Sequence, residues 1–442
     1  MRKNIVQRKH THEGGRAAHT NPLQALRRSV MACLLWEKEF YEDGETIAER
    51  IQCLAHQCAP EDVALMATEA RLDFKLRHAP LMLVRELARH PKARGKMIGD
   101  AICNVVQRAD ELAEFLALYW AEGKQPLSKQ VKAGLACAFR KFDAYQLAKY
   151  NRKGAVSLRD VLFMVHATPK DKQQGEIWRQ LVDGTLPAPD TWEVALSGGS
   201  DKKEVFTRLM RQKKLGYMAL LRNLRNMHEA GVDTDLVKGQ LLEGAAKSKA
   251  LPFRFIAAAR ACPAFEPTLD EAMQRALSRM DRLPGKTIVL VDVSASMVGT
   301  RVSQKSDIDR LDAAAALAAL VRGISDDCEV FTFSHVIERK PARRGMALID
   351  AIRNTDHSGT YLGQAVQAMN EMNYDRLVVF TDEQSADRVP APKGVGYMIN
   401  VASYQNGVGY GAWTHIDGFS EATIRFIQEI ERGLEQAREA KS

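Results

Sequence analysis

Hydroxyl and carboxylate side chains occur at three points in the second part of the sequence. Asp292, Ser294 and Ser296 follow the apolar run TIVLV, Thr360 lies in HSGTYLG, and Asp382 follows RLVVFT. A continuous apolar run bounded by small polar residues is typical of a central strand that is covered on both faces. Alternate residues after such a strand can turn toward one point, and converging oxygen ligands suit a hard octahedral cation such as Mg²⁺. The spacing therefore predicts a divalent metal site.

This combination resembles the metal-ion-dependent adhesion site of von Willebrand factor A domains. The resemblance implies that Ser294, Ser296 and Thr360 bind the metal directly, whereas Asp292 and Asp382 act largely through water. It also implies an open coordination position that takes an acidic group from a protein partner. All five positions carry the expected residue types.

Two other roles for these residues are weaker. Small polar residues after a strand often cap the next helix, but the added presence of Thr360 and Asp382 favours a metal site. A nucleophilic role for Ser294 or Ser296 is disfavoured because no histidine has a motif context that would pair it with either serine. The GxSxG turn of serine hydrolases is also absent from this stretch.

An enzyme that uses the bound metal would need a further acidic cluster or a general base near Asp292. The nearby candidates are Asp307, Asp309 and Asp312. Their position at the start of RLDAAAALAALV fits the solvent side of a helix better. The sequence therefore predicts a protein without catalytic activity.

Positive charge is concentrated in the first part of the chain. The net charge is +8, from 63 Lys and Arg against 55 Asp and Glu. From Gly285 onward there are 17 basic and 21 acidic residues, which leaves 46 against 34, or +12, before that point. A polyanion, most commonly nucleic acid, is the expected partner of such a surface, although a solvated basic face without a partner explains the composition equally well.

The apolar pattern divides the chain into two kinds of structure. From Asn21 to about Arg282, apolar residues recur at helical spacing without convincing alternating strands, which predicts an irregular array of paired helices. After LPGK, short apolar runs alternate with helical ones, which predicts a doubly wound α/β sheet. The predicted domains are a basic flexible segment at 1–20, a helical-repeat domain at 21–283 and an α/β domain at 284–442.

Several uncommon sequence motifs of the helical part resemble those of the TROVE module of the Ro ribonucleoprotein family. In order they are KY at 149–150, RDVL with HxxP at 159–169, TWE at 191–193, LLRNLRNM at 220–227 and PFR at 252–254. In that family a von Willebrand A domain follows TROVE, as it does here. The resemblance implies a ring-like array of HEAT-type helical pairs that is closed by the A domain.

The family resemblance also implies a function in RNA quality control or as a ribonucleoprotein scaffold. Family members bind small structured noncoding Y RNAs on the outer surface and single-stranded ends of misfolded RNA in a central hole. Lys149 and His166 match family Y RNA contacts, and Arg152 and Lys153 are basic neighbours that could contact phosphates. For His166 the alternative is a histidine buried between helices, and for the basic trio it is an ordinary exposed helix end.

Two further RNA contacts are predicted in LLRNLRNM. Arg222 and Arg225, with Asn223 and Asn226, place guanidinium and amide groups near one helical face, where they could contact unpaired bases. They could equally cap a neighbouring helix. The rival function is a metal-dependent protein-interaction scaffold without RNA, in which the helices grip a protein and the metal takes its acidic side chain.

The cysteines, the lack of long apolar runs and the expected ring lead to predictions about cellular location and assembly. The seven cysteines are scattered without a CxxC pair and are expected to be reduced core residues. No apolar run of membrane-spanning length and no signal peptide are visible, so we expect a cytoplasmic protein that contacts no membrane. A closed ring has no need to assemble, so a monomer is expected, and an exoribonuclease is a further candidate partner.

Overall fold

The computed structural model describes residues 10–17, 20–31, 44–151, 154, 156–248, 250, 252–299, 308–402, 404–409, 411–418, 423–424, 426–428 and 430–432. These residues form two compact units. The first, called the helical unit below, comprises residues 22–30 and 48–199. The second, called the sheet unit, comprises the described residues within 1–21, 31–47 and 200–442. None of the described helices is long and apolar enough to cross a membrane.

The first eleven helices alternate with short turns, as the apolar spacing predicted. They are α1 (Pro22–Met31), α2 (Gly44–Ala55), α3 (Pro60–Leu72), α4 (His78–Arg89), α5 (Met97–Val105), α6 (Asp110–Tyr119), α7 (Lys129–Phe139), α8 (Ala144–Tyr150), α9 (Leu158–Val165), α10 (Lys172–Asp183) and α11 (Trp192–Ser197). Polar residues begin several of them. Asp143 and Ser157 form capping boxes at α8 and α9, which satisfy backbone N–H groups that have no partner within the helix.

Helices α5 and α7 approach closely because glycines face each other between them. A Cβ at Gly134 would lie 2.7 Å from the carbonyl oxygen of Gly99. One turn further on, Cys103 and Cys137 have Cα atoms 5.7 Å apart and form a disulfide. The prediction that all seven cysteines are reduced is therefore wrong for this pair. The two cysteines are 34 residues apart in the sequence, and they meet only because α5 packs against α7.

The sheet unit begins with helices and continues as a sheet flanked by helices. Its helices are α12 (Lys202–Arg211), α13 (Tyr217–Arg222), α14 (Leu224–Glu229), α15 (Thr234–Ala245), α16 (Pro252–Ala261), α17 (Glu266–Leu277), α18 (Arg310–Ile324), α19 (Gly345–Arg353) and α20 (Leu362–Asn370). Its strands are β1 (Leu283–Asp292), β2 (Ser325–Phe333), β3 (Ile337–Arg339), β4 (Arg376–Thr381), β5 (Val395–Asn400) and β6 (Thr414–Asp417).

The six strands form one sheet in the order β3-β2-β1-β4-β5-β6. All neighbours are parallel except β2 and β3. The four central strands were predicted from their apolar runs and are confirmed, whereas the short strands β3 and β6 were not predicted. Strand order reverses between β1 and β4, and in sheets of this order ligands bind outside the carboxyl ends of the strands at that point. On one face, α20 packs against Ile288, Leu290, Leu377 and Val379 in a buried core.

Helix α18 is buried on all sides, which overturns one prediction from the sequence. Asp309 and Asp312 do not face solvent: both are buried, and Arg353 donates to them at 2.9 and 2.7 Å. Arg260 of α16 also pairs with Asp312. Solvent exposure was inferred from charge alone, but these carboxylates are instead neutralised by arginines from α16 and α19. Asp307 lies outside the described residues.

This packing also affects how the chain divides. Because α16 and α17 pack against α18 and α19, the helices that precede β1 belong to the same compact unit as the sheet. The boundary between the two compact units therefore lies near residue 199, whereas the apolar pattern placed a domain boundary at 283.

Part of the predicted flexible segment at 1–20 makes specific contacts. The Thr11 hydroxyl donates to the Ser385 carbonyl oxygen at 2.8 Å, and the His12 N–H donates to Gln384 Oε1 at 2.7 Å. Gly15 is also close to this loop, because a Cβ there would overlap the carbonyl oxygen of Ser385. In this respect residues 11–15 differ from the flexible segment predicted.

Candidate functional site

The carboxyl ends of β1 and β4 bring Asp292 and Thr381 side by side. The strands are parallel neighbours, with Val291 opposite Phe380. Thr381 Oγ1 donates to Asp292 Oδ2 at 2.7 Å, and the Ser294 N–H donates to Asp292 Oδ1 at 2.9 Å. Both oxygens of this buried carboxylate are thus held in fixed positions.

The two serines predicted as ligands face Asp382. A short 3₁₀ turn over Ala295–Met297 follows β1, and it leaves the hydroxyl oxygens of Ser294 and Ser296 3.0 Å apart. Ser296 donates a hydrogen bond to Asp382 Oδ2, while the Gln384 N–H donates to the other oxygen at 3.2 Å. All three side chains are buried. The structure thus links Ser294, Ser296 and Asp382 in one chain of hydrogen bonds.

Thr360 lies in a loop that runs beside the same turn. The Ala295 N–H donates to the Ser358 carbonyl oxygen at 3.3 Å, and the Ala386 N–H donates to the Thr360 carbonyl oxygen at 2.9 Å. The Thr360 side chain is buried. Its backbone is therefore fixed between the residues that follow β1 and those that follow β4.

Buried negative charge dominates the electrostatics of this site. Burial and, to a smaller extent, the neighbouring charge of Asp382 together raise the pKa of Asp292 to about 7. Arg310 at the start of α18 is also buried, which lowers its pKa to about 10 although the attraction of Asp382 opposes this shift. Two close carboxylates with hydroxyl oxygens between them are a donor set that fits a hard divalent cation.

A second cluster of buried titratable groups lies at the neighbouring strand ends. His415 Nε2 is 2.8 Å from Glu383 Oε1 and 3.1 Å from Asp417 Oδ1. Asn400 Nδ2 donates to Asp417 at 2.8 Å, and the Gly409 N–H donates to Glu383 at 2.9 Å. The ligand atoms of the His and the two acids all lie within 4.8 Å of one another.

The charges of this cluster stabilise one another. Burial would lower the pKa of His415, but the carboxylates of Glu383 and Asp417 raise it to about 9. Glu383 has a φ of 61°, a left-handed conformation that is uncommon for residues other than glycine. This cluster was not predicted from the sequence, because β6, which carries His415 and Asp417, was not predicted. The alternation of His415 and Asp417 after Trp413 was the available signal.

Two of the four predicted Y RNA contacts lie within the described residues. The Lys149 amine is 5.7 Å from the Tyr145 ring centre and 5.9 Å from that of Tyr150. His166 is exposed and ends α9 with a φ of 51°. The alternative of a histidine buried between helices therefore does not apply. Arg152 and Lys153 lie outside the described residues.

Arg222 and Arg225 lie in the sheet unit, where both are exposed at the junction of α13 and α14. The asparagines between them have a structural role: Asn223 donates to the Ala219 carbonyl oxygen at 2.9 Å, and Asn226 donates to Asn223 Oδ1 at 3.1 Å. A third cation was missed. Burial lowers the pKa of Arg254, and the nearby charge of Arg222 lowers it further.

Two comparisons with known proteins agree with this arrangement. The family model of the TROVE domain matches residues 184–321, which include TWE, LLRNLRNM and PFR and extend through β1 into α18. The fold is similar to that of the crystal structure of the Ro (RSR) protein from Deinococcus radiodurans. The two chains are 18% identical, the match covers 91% of this chain and 97% of that one, and the TM-score is 0.59. These findings confirm the resemblance to the Ro ribonucleoprotein family that the sequence motifs indicated.

Proposed function

We propose that this protein is a non-catalytic RNA-binding protein of the ribonucleoprotein type. The observation that carries the proposal is the pair Arg222 and Arg225, which are exposed within the segment that matches the TROVE model, with the charge of Arg254 near Arg222. Positive charges grouped on a surface attract a polyanionic ligand, whose binding releases bound counterions.

Two modes of RNA binding extend this proposal. Lys149 and His166, with Arg152 and Lys153, bind the phosphates of a small structured noncoding RNA of the Y RNA type. Arg222 and Arg225 contact single-stranded ends of misfolded RNA, in the central hole that the family resemblance implies. In this account the protein is a cytoplasmic monomer with a role in RNA quality control or as a scaffold to which an exoribonuclease is recruited.

The proposal includes a divalent metal in a von Willebrand A type domain. Ser294, Ser296 and Thr360 would hold Mg²⁺ directly, and Asp292 and Asp382 would support it through water. The cation would act as a Lewis acid and bind an acidic group from a protein partner. The closeness of two buried carboxylates and the raised pKa of Asp292 support a cation here, because a positive charge would stabilise the ionised form.

The test is to recover the protein from its own cells under native conditions and to sequence the RNA that accompanies it. A dominant small structured RNA is expected. The buried oxygen cluster favours one second function, a metal-dependent protein-interaction scaffold. Recovery of an acidic protein only in Mg²⁺, without enriched RNA, would favour that second function.

A further inference from the structure

The side-chain amide of Gln384 joins three parts of the sheet unit. This buried residue lies two positions after Asp382. Gln384 Nε2 donates to the Asp382 carbonyl oxygen at 3.1 Å and to the Asn406 carbonyl oxygen at 2.6 Å. Gln384 Oε1 accepts from the His12 N–H at 2.7 Å. The amide therefore connects the end of β4 with the loop after β5 and with residues near the beginning of the sequence.

Residues 10–16, called the N-terminal turn below, form a compact structure of their own. The Thr11 N–H donates to the Gly15 carbonyl oxygen at 2.9 Å, and the Gly15 N–H donates to Thr11 Oγ1 at 2.9 Å. His10 and Arg16 form an antiparallel bridge that closes the turn. Thr11 and Gly15 are both buried. Because the turn is closed by its own hydrogen bonds, it loses less conformational freedom when it docks than an open segment would.

The N-terminal turn docks on residues 384–386, called the β4 loop below. Thr11 Oγ1 donates to the Ser385 carbonyl oxygen at 2.8 Å. The same loop also holds the segment that contains Thr360. Ser385 Oγ accepts from the Leu362 N–H at 3.1 Å, and the Ala386 N–H donates to the Thr360 carbonyl oxygen at 2.9 Å. The β4 loop therefore connects the turn with one of the residues proposed to bind the metal.

Loss of the N-terminal turn would leave two buried acceptors of the β4 loop without partners. Within the part of the chain that the structure describes, the Ser385 carbonyl oxygen and Gln384 Oε1 accept no hydrogen bond from any residue outside the turn. A buried acceptor without a partner is costly, so the loop would move toward water. Such a shift would reach the metal site directly, because the Gln384 N–H donates to Asp382 Oδ1 at 3.2 Å.

We propose that the N-terminal turn, acting through the β4 loop, positions Asp382 and Thr360 for the binding of a divalent cation. Thr11 and the backbone of His12 are then positioning residues, since neither belongs to the ligand set itself. Removal of groups that orient metal ligands typically lowers metal affinity by about tenfold or more. Because coupling between two binding events is reciprocal, a bound cation also holds the turn more tightly in place. This inference rests on the metal site proposed above and adds a part of the chain that controls its affinity.

The first test is the Kd of the purified full chain for Mg²⁺, measured by isothermal titration calorimetry at a temperature where each variant is folded. Thr11→Val keeps the shape of the side chain but removes the hydrogen bond to Ser385, and it raises the Kd by about tenfold. Gly15→Ala has the same effect, because its Cβ would overlap the Ser385 carbonyl oxygen. Thr68→Val, which removes a hydroxyl that donates within α3, is the matched control and keeps the wild-type Kd. A substitution that only lowers overall stability would leave the Kd of the folded protein unchanged.

Hydrogen exchange tests the coupling in the reverse direction. Saturating Mg²⁺ slows exchange of the His12 N–H in the wild type but not in Asp292→Asn, which lacks the charge that supports the cation. Wild-type Kd values in both Thr11→Val and Gly15→Ala, or wild-type His12 exchange that does not respond to bound Mg²⁺, overturn the inference and leave the metal site standing. If the wild type binds no Mg²⁺, the proposed metal site fails together with the inference.

Discussion

Asp292 combines full burial with a second carboxylate close by, so its charge is costly unless a cation is present. Both of its oxygens accept hydrogen bonds, one from the Ser294 N–H and one from Thr381 Oγ1, which fixes its orientation between these residues. The sequence alone located this residue because it ends a predicted central strand. Its raised pKa could not be read from the sequence, since that depends on Asp382 from a strand distant in the chain.

Asp292→Asn is expected to abolish stabilisation by Mg²⁺. The amide keeps the shape of the side chain but removes the charge that supports the cation. For the wild type, Mg²⁺ at 100 times its Kd adds about 2.7 kcal/mol to the free energy of unfolding. Thermal unfolding with and without Mg²⁺ measures this, with Glu371→Gln, at an exposed carboxylate, as the control. A full Mg²⁺ effect in Asp292→Asn would exclude the metal site at this position, and RNA affinity is expected to stay unchanged.

His415 makes the stability of the folded protein depend on pH. Its folded-state pKa of about 9 lies above the unfolded value of 6.5. Its contribution to stability is therefore fully present below about pH 6.5 and is lost as the pH rises through 9, by roughly 3 kcal/mol at most. Urea unfolding at pH 6.5 and 9.5 measures the loss, and His415→Gln should flatten the profile. An unchanged free energy of unfolding in the wild type over this range would contradict the buried ion cluster.

At the scale of elements, the apolar pattern predicted the long helices and strands, whereas the short elements gave no clear pattern. The runs TIVLV and RLVVF identified β1 and β4, whereas β3 and β6 have three and four residues and no clear apolar alternation. The disulfide and the burial of Asp312 were also missed. Both depend on which helices pack together, and this packing cannot be derived from spacing along one helix.

The contact between α16 and α18 can be tested through Arg260. Arg260→Met removes one of the two arginines that neutralise Asp312 and leaves excess negative charge in a buried place. We expect the free energy of unfolding of the full chain to fall by about 3 kcal/mol. Arg275→Met, which breaks an exposed pair with Glu271, is the matched control and should cost less than about 1 kcal/mol. Equal small effects of both substitutions would mean that the α16–α18 ion pair contributes little.

At the scale of the whole molecule, the distribution of charge is the property that can be read most directly from the sequence. The +12 balance before Gly285 fitted a polyanionic partner and a solvated basic face equally well, without reference to any fold. The compact units divide this region near residue 199, so the basic residues proposed to contact RNA are distributed over both units. Lys149 and His166 lie in the helical unit, and Arg222 and Arg225 lie in the sheet unit. This division could not be read from the apolar pattern, because α16 and α17 look like any other helices until they pack on α18.

The most direct test of RNA binding is the affinity of the purified protein for a structured RNA with a single-stranded 3′ end, measured over a series of salt concentrations. We predict saturable binding that weakens steeply with salt, and a slope reduced by about two in the double variant Arg222→Ala with Arg225→Ala. Lys129→Ala with Lys132→Ala, at another basic pair, is the control. Binding that is absent, or whose salt slope is the same in the arginine variant as in the wild type, would contradict the account.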